Sequence, residues 1–252
     1  VYRETGFAAD DIVRHVVTGA EHHLADNGMC QVLAAWIEPQ DQPGDERLAS
    51  WIEPTGLDAW VIRRESVDLP EYTEMWLADS GLARGPEFSR RYEHWLRWFS
   101  EQGFASMGFG WINLHKSGSQ QPAVRIEDNP NPVREPVGTE FAAWPDRLAT
   151  LAKTEVLNTH WVVAPDVVEE TISRPGAPDP NSISLRRTSG LAPRIELDTI
   201  TAGLVATCDG DLSAGQILDS ISSILELDET ETKLQYEPII RDLVKDGFIL
   251  PR

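Results

Sequence analysis

Two short motifs of this chain have residue types that bind cofactors or metals in other proteins. Gly108-Phe109-Gly110 has the first two glycines of a dinucleotide-binding loop. However, Asn113 stands where the third glycine belongs, and the motif lies inside a predicted strand. We therefore expect these glycines to allow close packing against a neighbouring backbone. Glu21-His22-His23 suggests a metal, but zinc needs three or four ligands and no second cluster has suitable spacing, so a solvated helix end is preferred.

A tryptophan-rich segment could offer a stacking surface for a sugar or a base. Trp95 and Trp98 lie close to Tyr92 and Phe99 within residues 86–100. Tyr92, Trp95 and Phe99 recur at helical spacing, which is typical of a buried helix face. Trp98 falls outside that stripe, so its exposure distinguishes the two interpretations.

Three apolar segments of strand length must position any site in the first half of the chain. They alternate with helical patterns, which predicts a parallel or mixed sheet covered by helices. The strands are predicted at 29–37, 57–65 and 105–115, and the helices at 10–24, 45–52, 68–81 and 86–100. The predicted fold class is therefore α/β, a partial doubly wound sheet.

The rest of the chain has a different pattern. A polar break at Ser117–Pro122 predicts a boundary, so we divide the chain into 1–120, 121–186 and 187–252. The middle α+β segment has predicted strands at 124–127 and 161–172, a helix at 139–151 and a Pro-rich loop or linker at 174–181. The last segment has predicted helices at 198–208, 213–225 and 229–245 and a strand at 247–251, which together resemble a winged-helix unit.

Composition disfavours several classes of function. The formal net charge of −19 repels DNA, RNA and anionic membranes. No run of 18 apolar residues is present, so no membrane-spanning helix is predicted. Cys30 and Cys208 are far apart in sequence, and a reduced pair in the cytoplasm is preferred to a disulfide. Residues 191–252 contain twelve acidic and five basic side chains, so direct DNA binding by this part is not expected.

Several segments, taken in order, resemble one protein family. They are Tyr2–Gly6, Gly28–Ile37, Leu57–Leu77, Phe104–Lys116 and Val124–Val133, followed by the C-terminal segment. This order is similar to the C-terminal half of actinobacterial class I S-adenosylmethionine-dependent methyltransferases, which are related to the glutamine-N5 and small-domain N-methyltransferases. The similarity spans nearly the whole chain, and the order of the segments carries it rather than any single motif.

The resemblance implies a seven-stranded Rossmann-like sheet whose strands five, six and seven are the three segments above. The glycines that hold the cofactor, the acidic residue that holds its ribose and the Asn-Pro-Pro-aromatic motif that holds the target nitrogen would all precede Val1. Asn129-Pro-Asn-Pro132 lacks the second half of that motif and follows the last strand, so we interpret it as a turn. Methyl transfer depends mainly on aiming the nitrogen lone pair at the methyl group, so no strong general base is expected.

Three residues are candidates for substrate binding by this resemblance. Tyr2 and Arg3 would follow directly on the amine-binding loop, and Trp36 lies at the carboxyl end of its strand. The structural alternatives are a frayed terminus and a core aromatic residue. We expect no catalytic, cofactor-binding or metal-binding residue in this chain, and S-adenosylmethionine would bind only the full-length protein.

The expected function is therefore part of a cytoplasmic S-adenosylmethionine-dependent N-methyltransferase that acts on a protein or nucleic-acid substrate, with this fragment inactive alone. The alternative is a non-enzymatic protein-interaction module, in which the winged-helix-like tail recognises a partner and the α/β part is a scaffold. A third hypothesis, a glycan-active protein, is supported only by the abundant tryptophans and carboxylates.

Overall fold

The chain folds into two compact units. The computed structural model describes residues 9–82, 84–177 and 179–252, and the division between the units falls between Pro130 and Asn131. Both units contain helices and strands, so the chain is a mixed α/β protein. The predicted site residues Tyr2 and Arg3 lie outside the described residues.

The first unit is built around one four-stranded sheet. Its strands are β1 (Met29–Pro39), β2 (Asp58–Asp68), β3 (Phe104–His115) and β4 (Val124–Asp128), and its helices are α1 (Asp11–His23), α2 (Gly44–Ile52), α3 (Leu69–Asp79) and α4 (Pro86–Glu101). The strand order is β1-β3-β2-β4. β3 is antiparallel to both neighbours, whereas β2 and β4 are parallel. The three predicted strands therefore share one sheet, in which β1, β2 and β4 run in the same direction.

The glycines of the Gly-x-Gly motif lie in the middle strand, where no side chain fits. A Cβ on Gly108 would lie 2.5 Å from the indole Nε1 of Trp36 on β1, its partner in the register. A Cβ on Gly110 would collide with the backbone carbonyl of Ile62 on β2. The prediction of close packing is confirmed, and the motif is not a cofactor loop.

Helices cover both faces of this sheet. On one face, Val17 of α1 and Leu48 and Ile52 of α2 are buried in one cluster with Trp36 and Ile112. The first half of β1 is therefore covered on this face alone, because Met29, Gln31 and Leu33 on the opposite face are exposed.

The other face carries the aromatic helix α4. Phe99 is buried with Met107 of β3, and Trp95 packs against this cluster. Trp98 is half-buried, with its ring centroid 5.3 Å from that of Phe99 and 5.5 Å from that of Phe104. The tryptophan-rich segment therefore packs its rings into the fold, as the buried-face interpretation predicts.

The second unit has two antiparallel three-stranded sheets and four helices among its described residues. The strands are β5 (His160–Val163), β6 (Val167–Ile172), β7 (Ser182–Arg187), β8 (Arg194–Leu197), β9 (Asp209–Ser213) and β10 (Ile249–Pro251), and the helices are α5 (Gly138–Lys153), α6 (Thr199–Ala206), α7 (Ala214–Leu225) and α8 (Glu229–Lys245). The sheet orders are β10-β5-β9 and β6-β7-β8. The central strand β5 lies between β9 and β10, although it comes from upstream of α6 to α8.

Polar side chains cap helices in both units. Ser213 and Gln216 form a reciprocal capping box at the start of α7. Asp68 caps α3 by accepting the backbone N–H of Glu71 at 2.7 Å.

One prediction for the second unit needs correction, and the structure decides between the two alternatives of another. The single strand predicted at 161–172 is wrong: Pro165 interrupts it, and β5 and β6 belong to different sheets. The Pro-rich segment 174–181 joins β6 to β7, which pair from Ile172 opposite Ser182, so it is the loop of a hairpin rather than a linker; Pro178 within it lies outside the described residues.

Candidate functional site

The carboxyl ends of β1, β2 and β4 lie at the same edge of the first sheet, together with the amino end of β3. Open α/β sheets bind their ligands at this edge. Five polar residues meet there, and we call them the edge cluster: Glu38, Arg63, Ser66, Ser106 and Asp128.

Glu38 is the centre of the edge cluster. Its Oε1 accepts a hydrogen bond of 2.5 Å from Arg63, and its Oε2 accepts from Ser66 at 2.7 Å and from Ser106 at 2.5 Å. Burial alone would raise the pKa of Glu38, but the hydrogen bonds from Ser106, Ser66 and Arg63 together hold this pKa below its usual range. Glu38 is therefore an ionised acceptor at neutral pH.

Arg63 joins this carboxylate to the next strand. Its Nη2 donates to Oδ2 of Asp128 at 2.9 Å, and that pair raises the pKa of Arg63 and lowers the pKa of Asp128. The cluster holds two ionised carboxylates and one guanidinium, so it leaves a net negative charge at this edge. Because both carboxylates are held ionised, the cluster can orient groups electrostatically but is poorly suited to accept a proton at neutral pH.

A second ion pair fixes the start of α1 against the end of β1. The carboxylate of Asp10 accepts from Arg47 at 2.7 and 2.8 Å and from the backbone N–H of Ile37 at 2.7 Å. Arg47 also donates to the carbonyl of Ile37 at 3.1 Å. Both backbone groups of Ile37 are thus satisfied by side chains, as a neighbouring strand would satisfy them.

Among the described residues, nothing else pairs with the outer edge of β1. The backbone groups of a strand point alternately to its two sides, so Met29, Gln31, Leu33 and Ala35 face the same side as Ile37. No described residue pairs with the backbone of these four, because β1 is the end strand of its sheet. The side chain of Leu33 is 77% exposed, and residues 29–37 contain no charged residue. This edge lacks the charges that usually protect an end strand from further pairing.

Trp36 is buried at the carboxyl end of β1. The side chain has no accessible surface, and its Nε1 has no hydrogen-bond partner among the described residues. Its position agrees with the core-aromatic interpretation. An unpaired buried indole N–H is nevertheless unusual, since buried donors normally find an acceptor.

The other residues that the sequence analysis singled out lie outside the edge cluster. His22 and His23 are exposed at the end of α1, and no group of three potential metal ligands occurs within the described part of the chain. Asn129 follows β4, and its backbone N–H donates to the carbonyl of Arg63 at 2.9 Å, which extends the pairing of β4 with β2. Cys30 and Cys208 are both free thiols.

The second unit has its own buried charges. Glu140 accepts from Arg147 at 2.5 Å and from Arg187 at 2.6 Å, and Arg187 also pairs with Asp166 at 3.1 Å. Burial lowers the pKa of Arg147 despite the opposing effect of Glu140. Glu140 is only 5% exposed and the four charges cancel, so this network ties α5 to β7 rather than presenting a site.

Sequence reasoning missed the edge cluster and the Asp10–Arg47 pair. One local signal for Asp10 was present, since it stands at the start of the predicted helix 10–24, where aspartate often caps a helix. The structure gives it no capping hydrogen bond, because its carboxylate is occupied by Arg47 and Ile37. For Glu38 the only local signal was its place at the end of a predicted strand.

Comparison with known proteins gives a limited result. Residues 142–251 match a family described as a domain of unknown function, DUF7782. The match covers most of the second unit and less than half of the chain. No curated protein matches this chain. No helix in the described ranges is long and apolar enough to cross a membrane.

Proposed function

We propose that this chain is the back half of a class I S-adenosylmethionine-dependent N-methyltransferase that acts on a protein or nucleic-acid substrate in the cytoplasm. The observation that carries the proposal is the strand order β1-β3-β2, in which β1 and β2 run in the same direction and β3 runs antiparallel between them. In the family that the chain resembles, the last of the seven strands forms an antiparallel pair, and β3, which corresponds to that strand, is antiparallel to its neighbours.

The open edge of β1 supports the same proposal. A fourth strand would lie beside β1 and pair with the free backbone groups of Met29, Gln31, Leu33 and Ala35. Because Asp10 and Arg47 occupy the backbone of Ile37, such a strand would leave the sheet beside Trp36 and Glu38. The loop that holds the target nitrogen follows the fourth strand in the family, so it would lie against this end of β1.

The geometry suits positional catalysis. A fixed negative charge at Glu38 and a buried donor at Trp36 can help to orient a bound amine and its loop, whereas the methyl group comes from the cofactor. Substrate roles for Tyr2, Arg3 and Trp36 remain part of this proposal.

We further propose that α6 to α8, with β9 and β10, form a winged-helix-like module that packs against or recognises a protein. The order helix, strand, helix, helix, strand supports this assignment. The excess of acidic residues in 191–252 favours a protein partner over DNA.

The test is cofactor binding by two polypeptides. Isothermal calorimetry with S-adenosylmethionine should detect no binding to this chain alone. A polypeptide that also contains the gene segment upstream of Val1 should bind the cofactor and transfer labelled methyl groups to a protein or nucleic-acid fraction. Micromolar binding by this chain alone would contradict the assignment of β1, β2 and β3. An upstream segment without a Gly-rich strand-turn-helix and an Asn-Pro-Pro-aromatic motif would favour the interaction module instead.

A substitution tests the role of Trp36 within the longer polypeptide. Trp36→Phe keeps an aromatic ring but removes the indole N–H, so methyl transfer should fall if that group meets a bound ligand or its loop. Trp98→Phe, on α4 at the other face of the sheet, is the matched control and should leave transfer unchanged. Equal activity of the two variants would remove Trp36 from the site.

A further inference from the structure

The helices α6 and α7 of the second unit share a stretch without charge. Residues 199–206 of α6 and 220–225 at the end of α7 contain no charged side chain. In α6, Leu204 and Val205 are buried, whereas Ala206 on the outer side is exposed. The outer side of a surface helix normally carries charged or polar residues, so this uncharged outer side indicates a surface that a partner covers.

Apolar side chains extend this surface along the end of α7. A Cβ on Gly203 of α6 would lie 3.3 Å from Cδ1 of Ile221, so the two helices approach closely at this point. Ile224 and Leu225 follow Ile221 by three and four positions and therefore lie beside it on α7. Ile224 is 79% exposed, and Leu225 and Leu227 are exposed as well. We call Ile221, Ile224, Leu225 and Leu227 the apolar patch.

The backbone fixes the end of this patch. Glu226 has a left-handed conformation with φ of 55°, and the N–H of Leu227 donates to the carbonyl of Ser222 at 2.9 Å. This is the hydrogen bond of a Schellman cap, which sets the direction in which the chain leaves the helix. Leu227 is therefore held at the end of α7, and its burial by a partner costs less conformational entropy than that of a residue in a loose loop.

Unpaired carboxylates follow the patch directly. Four exposed acidic residues occur within six positions, and none of them forms an ion pair with another residue of the described ranges: Glu226, Asp228, Glu229 and Glu231. The cation nearest to them in sequence, Lys233, is already paired with Asp219 at 2.6 Å. The patch therefore has an acidic border whose charge is not balanced.

Charge distinguishes the candidate occupants of the patch. A second copy of this chain would bring the same carboxylates and a net charge of −19, so it would be repelled. An anionic membrane would be repelled for the same reason. A helix that has an apolar stripe and basic residues beside it would bury the patch and neutralise its border.

We propose that the apolar patch binds an amphipathic helix of another protein. The apolar stripe of that helix covers Ile224 and Leu225, and its lysine or arginine side chains pair with the carboxylates of residues 226–231. This inference rests on the proposed recognition of a protein by the winged-helix-like module, and it names the surface and the chemistry of the partner. It does not depend on the methyltransferase proposal.

Fluorescence anisotropy with a labelled synthetic peptide tests the patch. The peptide has about 18 residues, with leucine at helical spacing and lysine at all other positions. Micromolar binding to the whole chain is expected at about 0.15 M salt, which screens diffuse attraction to the acidic surface. Ile224→Ser should weaken binding about tenfold, because it removes a large apolar contact. Ile172→Ser is the matched control: Ile172 is also an exposed isoleucine of the second unit, and its replacement should leave binding unchanged.

A second pair of variants tests the acidic border. Glu229→Gln combined with Glu231→Gln should weaken binding about fivefold, in the range of two exposed ion pairs. Asp45→Asn combined with Glu46→Gln removes two charges from the first turn of α2, as the first pair does from α8, and should leave binding unchanged. A peptide of the same composition whose leucines do not share one helix face should bind at least about tenfold more weakly. Thermal unfolding checks that each variant is folded.

The outcomes separate this proposal from the functional proposals. Equal binding by Ile224→Ser and Ile172→Ser would remove the patch as the contact but leave recognition of a protein elsewhere on the module. Equal losses in the two charge variants, or equal binding of the two peptides, would mean that only the overall charge acts, which also overturns the proposal. No binding of either peptide would contradict the proposed recognition together with the patch. The methyltransferase proposal is decided separately, by the binding of its cofactor.

Discussion

Replacement of Asp10 by alanine should destabilise the first unit strongly. The carboxylate of Asp10 is only 4% exposed and accepts three hydrogen bonds, two of them from Arg47. Removal of one partner of a buried ion pair costs about 3–5 kcal/mol. Arg47 is 21% exposed and keeps its contacts with the carbonyl of Ile37 and the ring of Trp51, so we expect a loss near the lower end, about 3 kcal/mol.

Urea denaturation followed by tryptophan fluorescence measures this loss. With a slope of about 1–3 kcal/mol per molar urea, the midpoint should fall by about 1–3 M. Asp11→Ala is the matched control, because Asp11 is the next residue and its pair with Arg14 is exposed. That variant should stay within about 0.5 kcal/mol of the wild type.

The reasoning would be refuted by equal effects of Asp10→Ala and Asp11→Ala. A double-mutant cycle with Arg47→Ala provides a second criterion. If Asp10 and Arg47 act as a pair, the double variant should lose at least about 1 kcal/mol less stability than the sum of the losses of the two single variants. Additive losses would mean that the two side chains stabilise the fold independently.

Three other predictions concern packing, pH and thiol chemistry. Gly110→Ala should destabilise the protein by about 3 kcal/mol or more, because the added Cβ would meet the carbonyl of Ile62 on the adjacent strand. Gly19→Ala is the control on α1, where nothing lies near the added Cβ, and it should stabilise the protein by up to about 1 kcal/mol in the same urea assay. Glu38→Gln should destabilise the protein at pH 7, and the difference in stability between variant and wild type should shrink below about pH 4 in denaturation curves. The reason is that the lowered pKa of Glu38 in the folded state contributes stability that is lost as the pH falls through that pKa. A difference that does not change with pH would exclude this contribution. Cys208 should react more slowly than Cys30 with iodoacetamide at pH 8, because burial and Asp209 raise the pKa of Cys208 to about 12. Mass spectrometry measures both alkylation rates, and equal rates would contradict the burial of Cys208.

The sequence predicted most elements of the first unit because their signals are local. The strand predicted at 124–127 was assigned to the middle segment, whereas β4 pairs with β2 in the first sheet. The apolar runs at β1, β2 and β3 are bounded by glycine or turn residues, and Asp68 marks the start of α3. The alternation of strands and helices was enough to expect a shared sheet.

The edge cluster was not predictable in this way, because its contacts join distant positions. Glu38 bonds to residues 28 and 68 positions away, Ser66 and Ser106, and only the register of β1, β3 and β2 brings them together. The break at Pro165 had a local signal, since proline has no N–H to donate to a sheet. The apolar residues on both sides of Pro165 nevertheless led to the prediction of one continuous strand.

The uncharged outer side of β1 also affects how this chain behaves in solution. Two copies could pair through Met29–Ala35, with Leu33 in contact across the junction, because within the described ranges the side chains of Asp10 and Arg47 occupy only Ile37 on this side of β1. The net charge of −19 opposes that encounter at low ionic strength, and added salt weakens the repulsion as the screening length shortens. Self-association that grows with salt, and that a lysine at position 33 suppresses, is therefore a property that follows from an end strand without charges.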